Sequence, residues 1–177
     1  MAFKHEVAIL AGGCFWCMQK PFDHLKGVIS TVVGYTGGQT QNPNYDDVSS
    51  GNSGHYEAIK VVYDPGRISF KEILSVFWRN IDPFDATGQF CDKGDQYRAA
   101  IFYLNDSQKD VARMSRIQTE KTLGQKVETE IVPAIEFFEA EAYHQKYYAK
   151  NPIRYNFYRF SCGRDRRLEK IWGKEAG

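Results

Sequence analysis

The chain has 177 residues, a length that fits one domain of the usual ~100–200 residues. Hydrophobic residues make up 42% and charged residues 25%, which is the ordinary balance of a soluble protein. With 23 basic and 22 acidic residues the net charge is only +1, which argues against a nucleic acid or a membrane surface as a partner held by bulk charge.

The start of the chain carries no secretory signal, because the run at residues 7–11 is too short and no cleavage site follows it. No stretch approaches the ~20 apolar residues of a membrane span. We therefore expect a cytoplasmic protein. In that compartment cysteines are more typical of catalysis or metal binding than of a disulfide framework, and the chain has four: Cys14, Cys17, Cys91 and Cys162.

Strand and helix patterns alternate through the first half of the chain. Residues 7–11 predict a buried strand closed by Gly12 and Gly13, and a helix that contains Pro21 follows from Cys14. A second strand is predicted over residues 28–35. The polar stretch at 36–54 predicts a long irregular loop, and loops of that length are usually functional.

The second half continues the alternation. We predict strands over residues 58–63, 98–104 and 128–132, and a loop over 82–95. Predicted helices follow the N-caps Ser69, where Glu72 completes a capping box, and Ser107. A last helix is predicted over 139–150, ended by Pro152, with a tail from about residue 153.

This order of elements predicts one domain over residues 1–177 of the α/β class. We expect a two-layer α+β sandwich, with a mixed sheet, a split βαβ arrangement of the ferredoxin-like kind and long irregular loops.

Cys14 lies where the first strand passes into a helix. Backbone N–H groups at a helix N-terminus favour a thiolate, so the position predicts a nucleophile, although Cys14 also fits a small buried residue. Cys14 and Cys17 form a C-x-x-C pair, which suits a redox dithiol or half of a zinc site. Zinc needs a second ligand pair, and no two histidines stand at ligand spacing. Taken alone, Glu57, Asp92, Tyr45 and Tyr97 are better interpreted as solvated residues than as catalytic ones.

Six short motifs span residues 7–152, and they are specific in combination. They are Gly13-Cys14-Phe15-Trp16, Gly34-Tyr35-Thr36-Gly37-Gly38, Asn42-Pro43-Asn44-Tyr45, Gly54-His55-Tyr56-Glu57, Asp92-Lys93-Gly94-Asp95-Gln96-Tyr97-Arg98 and Ala140-Glu141-Ala142-Tyr143-His144-Gln145 with Lys150-Asn151-Pro152. Together they resemble the A-type peptide methionine sulfoxide reductase family. That resemblance implies the reduction of methionine-S-sulfoxide, free or in oxidised proteins, to methionine, which repairs proteins after oxidation.

The resemblance also implies roles for individual residues. Cys14 would attack the sulfoxide sulfur and become a sulfenic acid, and Glu57 would protonate the sulfoxide oxygen. Hydrogen bonds to that oxygen would come from Tyr45 and Tyr97, and Asp92 would hold the polar side of the pocket. An aromatic wall of Phe15 and Trp16 would receive the methyl group. No metal or cofactor is implied, and thioredoxin would reduce the resulting disulfide.

The chain departs from the family pattern at the cysteine that resolves the sulfenic acid. Many members have Gly at the position of Cys17 and use cysteines in a glycine-rich tail, whereas this tail has only Cys162. We expect Cys17 to resolve, since it lies one helical turn from Cys14, with Cys162 as the alternative. Cys91 is interpreted as a packing neighbour of Asp92. Two other functions stay open: a thioredoxin-like disulfide oxidoreductase, and a zinc-binding or peptide-binding module.

Overall fold

A computed structural model describes residues 4–177. Its strands are β1 (Glu6–Gly12), β2 (Val28–Thr36), β3 (Tyr56–Tyr63), β4 (Gly88–Gln89), β5 (Asp92–Lys93), β6 (Ala99–Tyr103), β7 (Glu130–Pro133) and β8 (Phe137–Glu139). Its helices are α1 (Phe15–Asp23), α2 (Tyr45–Ser49), α3 (Phe70–Arg79), α4 (Asp106–Leu123), α5 (Tyr147–Lys150), α6 (Pro152–Cys162) and α7 (Arg164–Trp172). Single 3₁₀ turns lie at Asp95–Tyr97, Ala142–His144 and Gly173–Glu175.

Six of the strands form one mixed sheet in the order β7-β6-β1-β3-β2-β8. β3 pairs antiparallel with both β1 and β2, so these two run parallel with one strand between them. This is the predicted split βαβ arrangement, with α1 as the crossover. A second crossover, through α4, joins β6 to its parallel neighbour β7. The predicted α/β fold class is therefore confirmed.

The main core lies between one face of this sheet and α1, α3 and α4. Apolar residues alternate along the strands, and one set packs against the helices: Leu10, Ile59, Val61 and Ile101 from the sheet, Met18, Phe22, Ile73, Leu74, Phe77 and Ala112 from the helices. At the start of α3, Ser69 and Glu72 exchange the two hydrogen bonds of a capping box, as the sequence predicts.

The two long loops contain more structure than the sequence indicates. Within residues 36–54, Asn44 and Asp47 form a capping box that starts the short helix α2. The segment 82–95 contains the two-stranded hairpin of β4 and β5. The N-cap of α4 is Asn105, whose side chain accepts from the N–H of Gln108, rather than Ser107.

The prediction for the C-terminal quarter is wrong in two places. Residues 139–150 form the end of β8, a 3₁₀ turn and the short helix α5, instead of one helix. Pro152 does not end a helix but begins α6, where its missing N–H needs no partner, and the predicted tail continues as α6 and α7. No helix within residues 4–177 combines the length and apolar character needed to cross a membrane.

Candidate active site around Cys14

Cys14 stands in the turn between β1 and α1. Gly13 has a φ of +83°, and a Cβ at that position would lie 2.6 Å from Cβ of Gln89, so both the turn and its packing require glycine. Cys14 is the N-cap of α1, and its carbonyl accepts the first hydrogen bonds of the helix, from Cys17 and Met18. The turn thereby holds the side chain of Cys14 close to the end of β1.

The same turn is secured from the far end of the chain by Arg164. Its side chain is almost fully buried, and Nη2 donates to the carbonyls of Gly12 at 2.9 Å and Asn80 at 2.8 Å. The guanidinium also lies 4.5 Å from the ring centroid of Phe90. Arg164 thus connects the end of β1, the end of α3 and the β4–β5 hairpin.

Cys14 and Cys17 are free thiols and both are buried, with 7% and 1% of their surfaces exposed. Burial raises the pKa of Cys14 well above its usual value. The pKa of Cys17 is lowered to about 6 by a hydrogen bond from the Cys14 thiol, with a contribution from the charge of Arg164. The two thiols share this hydrogen bond and titrate as a coupled pair, so the lowered pKa describes the loss of one proton from the pair.

The predicted stabilisation of a Cys14 thiolate by the helix N-terminus does not involve a capping hydrogen bond in this structure. The N–H of Phe15, the first residue of α1, instead donates to Oε2 of Glu57 at 3.0 Å. The helix end therefore supports the Glu57 carboxyl group, and Cys14 depends on its neighbours to lose its proton.

β3 begins at Tyr56, two residues before the predicted start, so the strand includes Glu57. Glu57 lies directly across from Tyr35 on β2. Only 3% of its surface is exposed. Burial raises the pKa of Glu57 to about 8, although the hydrogen bond from Phe15 acts in the opposite direction. At neutral pH Glu57 is a protonated acid that can donate a proton.

A small cavity of about 80 Å³ brings the predicted residues together. Its lining contains all seven predicted catalytic and substrate-binding side chains and one more, Tyr158: Cys14, Phe15, Trp16, Tyr45, Glu57, Asp92, Tyr97 and Tyr158. Cavities that hold whole cofactors or drug-sized ligands are several times larger, about 300–1,000 Å³. This cavity suits the functional group at the end of a side chain.

Two tyrosines supply neutral O–H groups to this cavity. Burial raises the pKa of Tyr45 to about 12, and it raises the pKa of Tyr97 further. Both hydroxyls are therefore protonated throughout the physiological range and can act as hydrogen-bond donors. Tyr45 is placed by α2, where its backbone N–H donates to Oε2 of Glu141 at 3.1 Å.

Asp92 and Tyr158 face the cavity as a hydrogen-bonded pair. The hydroxyl of Tyr158 donates to Oδ2 of Asp92. Burial raises the pKa of Asp92, while this hydrogen bond partly offsets the effect. Tyr158 remains protonated because burial raises its pKa strongly.

The aromatic wall is fixed by residues of the C-terminal segment. The indole Nε1–H of Trp16 donates to Nδ1 of His144 at 2.9 Å, and its ring stacks on Tyr147 with centroids 3.8 Å apart. Burial lowers the pKa of His144, so its imidazole stays neutral and Nδ1 remains an acceptor. Phe15 packs against His144 with ring centroids 5.0 Å apart.

Reasoning from sequence assigned no role to several residues that support the site. Each of them forms a hydrogen bond with a residue of the site that lies at least 66 positions earlier in the chain. These residues are Tyr158, Glu141, His144 and Arg164. For Glu141 and His144 a signal existed, since both belong to one of the motifs that resemble the family. Tyr158 and Arg164 lie beyond those motifs.

Cys91 and Cys162 form a disulfide with Cα atoms 5.0 Å apart. The interpretation of Cys91 as a mere packing neighbour of Asp92 is therefore wrong, and Cys162 is not a free thiol. Within residues 4–177, the potential metal ligands cluster in threes only at Cys91, Asp92 and Cys162, where both sulfurs are in the disulfide. Cys14 and Cys17 thus lack the further ligands that a zinc site needs.

Two larger clefts lie away from the cysteines. One of about 460 Å³ runs between α3 and α4, and one of about 630 Å³ lies beside α6 and α7. Neither is lined by a cysteine. Of these three cavities only the small one combines a thiol, a neutral acid and O–H donors, which together can protonate a bound group while sulfur attacks it.

Comparisons with known proteins identify the family of the chain. The family model described as "Peptide methionine sulfoxide reductase" matches residues 6–176. A relative named peptide methionine sulfoxide reductase MsrA, from Bacillus subtilis, is 47% identical over 175 residues, which cover 98% of this chain and 99% of the relative.

Solved structures show the same fold. The crystal structure of Mxr1 from Saccharomyces cerevisiae in reduced form superposes with a TM-score of 0.82 at 30% identity, covering 86% of this chain and 89% of that one. A structure of Mxr1 in complex with Trx2 superposes with a TM-score of 0.59 at 23% identity, covering 83% and 87%.

Proposed function

Since the chain belongs to the peptide methionine sulfoxide reductase family and is thus an oxidoreductase, we propose that it reduces methionine-S-sulfoxide through a sulfenic acid on Cys14. The observation that carries this mechanism is the pairing of Cys14 with the neutral acid Glu57 in one cavity of about 80 Å³. A methyl sulfoxide is a small group at the end of a side chain, which suits a cavity of this size. Either free methionine sulfoxide or an oxidised protein side chain can present this group.

Each part of the sulfoxide has a complementary partner. The oxygen accepts hydrogen bonds from Glu57 and from the neutral hydroxyls of Tyr45 and Tyr97, which strengthen as charge develops on it. The methyl group packs on Phe15 and Trp16, since methyl and sulfur groups contact aromatic rings favourably. A chiral sulfur bound at these points can present only one of its epimers correctly.

The chemical step follows from the protonation states. As Cys14 attacks the sulfoxide sulfur, its proton passes to the Cys17 thiolate and Glu57 protonates the sulfoxide oxygen. In the net reaction the oxygen is transferred to Cys14, which becomes a sulfenic acid, and methionine is released.

Cys17 then resolves the sulfenic acid in the proposed cycle. Its thiol attacks the Cys14 sulfenic acid, water leaves, and a Cys14–Cys17 disulfide forms. The bond between Cys162 and Cys91 supports Cys17 over Cys162, because a bonded sulfur has no thiol to offer. Thioredoxin is the proposed reductant of this disulfide, and the complex of Mxr1 with Trx2 supports that choice.

A stereospecific assay tests the proposed activity. Purified protein with dithiothreitol should convert methionine-S-sulfoxide to methionine and leave the R epimer unreduced, measured by chromatography of the products. An insulin-type disulfide serves as the control substrate, since a thioredoxin-like oxidoreductase would reduce it. Activity on insulin without activity on either sulfoxide would sink the proposal.

The resolving cysteine is tested by comparing Cys17→Ser with Cys162→Ser. Both variants should complete one turnover, because resolution follows the release of methionine. Cys17→Ser should lose turnover with thioredoxin and retain turnover with dithiothreitol, which can reduce a sulfenic acid directly. Its chemical step should be slower than that of the wild type, because the Cys17 thiolate that accepts the proton of Cys14 is missing. Peptide mapping of the oxidised wild type should find Cys14 linked to Cys17. A link from Cys14 to Cys162, with full thioredoxin turnover in Cys17→Ser, would overturn the assignment.

A further inference from the structure

Two bonds join the β4–β5 hairpin to α6 beside the cavity. Asp92 accepts the hydrogen bond from Tyr158. One residue before Asp92 and four residues after Tyr158, the disulfide of Cys91 and Cys162 links the same two segments. Asp92 and Tyr158 line the cavity, and the two sulfurs do not. The disulfide therefore holds one wall of the site from outside it.

The hairpin is short, and noncovalent contacts hold the β4 side of its tip. β4 and β5 pair over two residues each, and a hairpin of that size is at best marginally stable alone. On β4, Gln89 exchanges hydrogen bonds with the backbone of Asp82, at 2.8 and 2.7 Å, and the ring of Phe90 lies against Arg164. The disulfide of Cys91 is the covalent link that holds the other side of the tip, next to Asp92, against α6.

The disulfide can also be reached without entering the cavity. Cys91 is exposed and Cys162 is half-buried, whereas Cys14 and Cys17 are both buried. Thiol–disulfide exchange requires a thiolate to contact a disulfide sulfur, so access decides which bonds react. A dithiol reductant in solution can therefore contact Cys91 without entering the cavity.

We propose that the Cys91–Cys162 disulfide is a clamp that positions Asp92 and Tyr158 for binding the sulfoxide, so that opening it weakens substrate binding. The proposal rests on the function proposed above. Tyr158 and Asp92 are here positioning residues for the polar side of the pocket, and the clamp acts through them.

Opening the clamp is an ordinary two-electron exchange with a dithiol. A thiolate of the dithiol attacks the sulfur of Cys91, the bond between Cys91 and Cys162 breaks, and Cys162 leaves as a thiolate that takes up a proton. The second thiolate of the dithiol then attacks the mixed disulfide and releases Cys91. The dithiol is oxidised to a disulfide and the clamp is reduced to two thiols.

Opening affects the site through Tyr158. Sγ of Cys162 lies 3.9 Å from the Tyr158 hydroxyl, one turn away on the same helix. A tyrosine has one O–H proton, so the sulfur of Cys162, once released from the disulfide, competes with Asp92 for that proton whenever the sulfur is deprotonated. Asp92 then loses its donor while the hairpin tip loses its covalent link. The loss of one net hydrogen bond of ordinary strength should raise the sulfoxide concentration needed for half-saturation about three- to tenfold.

The test compares two forms of the wild-type protein in the absence of any added reductant. In the closed form Cys14 and Cys17 are reduced and the clamp is intact, so two thiols per chain are titrated after denaturation. The open form has four. Each form is mixed with methionine-S-sulfoxide over a range of concentrations, and the rate and amplitude of the methionine burst are measured. We expect about three- to tenfold higher half-saturation for the open form, with a similar limiting rate and one methionine per chain from both.

Variants separate positioning from simple stabilisation. Tyr158→Phe should raise the half-saturation of the closed form by a similar factor and should add little in the open form, since both changes remove the same hydrogen bond. The double variant Cys91→Ser with Cys162→Ser should behave as the open form whether or not it has been treated with a reductant. Equal half-saturation in the two wild-type forms would overturn the clamp, and so would additive effects of Tyr158→Phe and reduction.

The amplitude gives an independent result. Each sulfoxide consumes two thiols, so two methionines per chain from the open form would show that Cys91 and Cys162 supply electrons to turnover, and the clamp proposal would be overturned. If neither form released methionine, the proposed function itself would fail. These outcomes differ from equal half-saturation, so the two proposals can fail separately.

Discussion

Cys14→Ser is expected to abolish methionine sulfoxide reduction with every reductant, including dithiothreitol. A cysteine sulfur gives up two electrons when it accepts the sulfoxide oxygen, whereas a serine oxygen in the same position would have to form a peroxide. A neutral alcohol is also a far weaker nucleophile than a thiolate. The loss should appear in a single turnover, because it precedes every recycling step.

The measurement is the amount of methionine released per chain from an excess of methionine-S-sulfoxide. Circular dichroism and thermal unfolding of the variant show whether the fold is kept. Cys14 and serine differ little in size, so we expect a folded protein. Release of more than a trace of methionine by a folded Cys14→Ser protein would remove Cys14 from the proposed mechanism.

Glu57→Gln is expected to slow the single-turnover rate by about 10²- to 10⁴-fold, the usual contribution of a general acid. Glutamine keeps the shape of the side chain and can still accept from the N–H of Phe15. It has no proton that it can transfer. The limiting rate should therefore fall by a much larger factor than the sulfoxide concentration at half-saturation rises.

The pH profile gives a second signature of the same residue. The Glu57 acid is present below its pKa of about 8, so the wild-type rate should fall as the pH rises through 8. Cys17 must be a thiolate to accept the proton of Cys14, so the rate should also fall as the pH drops through about 6. Glu57→Gln should lose the fall above pH 8 and keep the one below pH 6.

A matched control is Glu139→Gln, which makes the same chemical change at an exposed position on β8. Glu139 pairs with Lys60 at 3.6 Å across the surface, and exposed pairs of this kind contribute little. Its single-turnover rate should equal that of the wild type. An unchanged rate in Glu57→Gln as well would make Glu57 a purely structural group.

Local sequence signals predicted most of the sheet. Alternating apolar residues at 58–63 and the pair of Ser69 and Glu72 specify their own backbone conformation, because the interactions involved span only a few residues. The segment from 139 to 162 was mispredicted since its structure depends on distant partners. Gln145, for example, hydrogen-bonds the backbone of Val33, with its Oε1 2.9 Å from the amide nitrogen and its Nε2 2.8 Å from the carbonyl oxygen.

The site was predictable only through the resemblance of its motifs to a family. Glu57 looks like a solvated residue when considered alone, and its burial follows from the pairing of β3 with β1 and β2. The contact of Asp92 with Tyr158, and the bond of Cys91 with Cys162, join segments more than 60 residues apart. No local pattern specifies such pairs, because they arise only when α6 packs against the hairpin.

The hydrogen bond from Arg164 to Gly12 joins the turn that carries Cys14 to a residue that is added late in synthesis. The two residues are 152 positions apart, and translation adds about 5–20 residues per second. The turn that carries Cys14 therefore leaves the ribosome roughly 8–30 s before the residue that completes it. During that interval the nascent chain exposes two cysteines without their finished pocket, so we expect its oxidation by peroxides to be least selective while it is still being made.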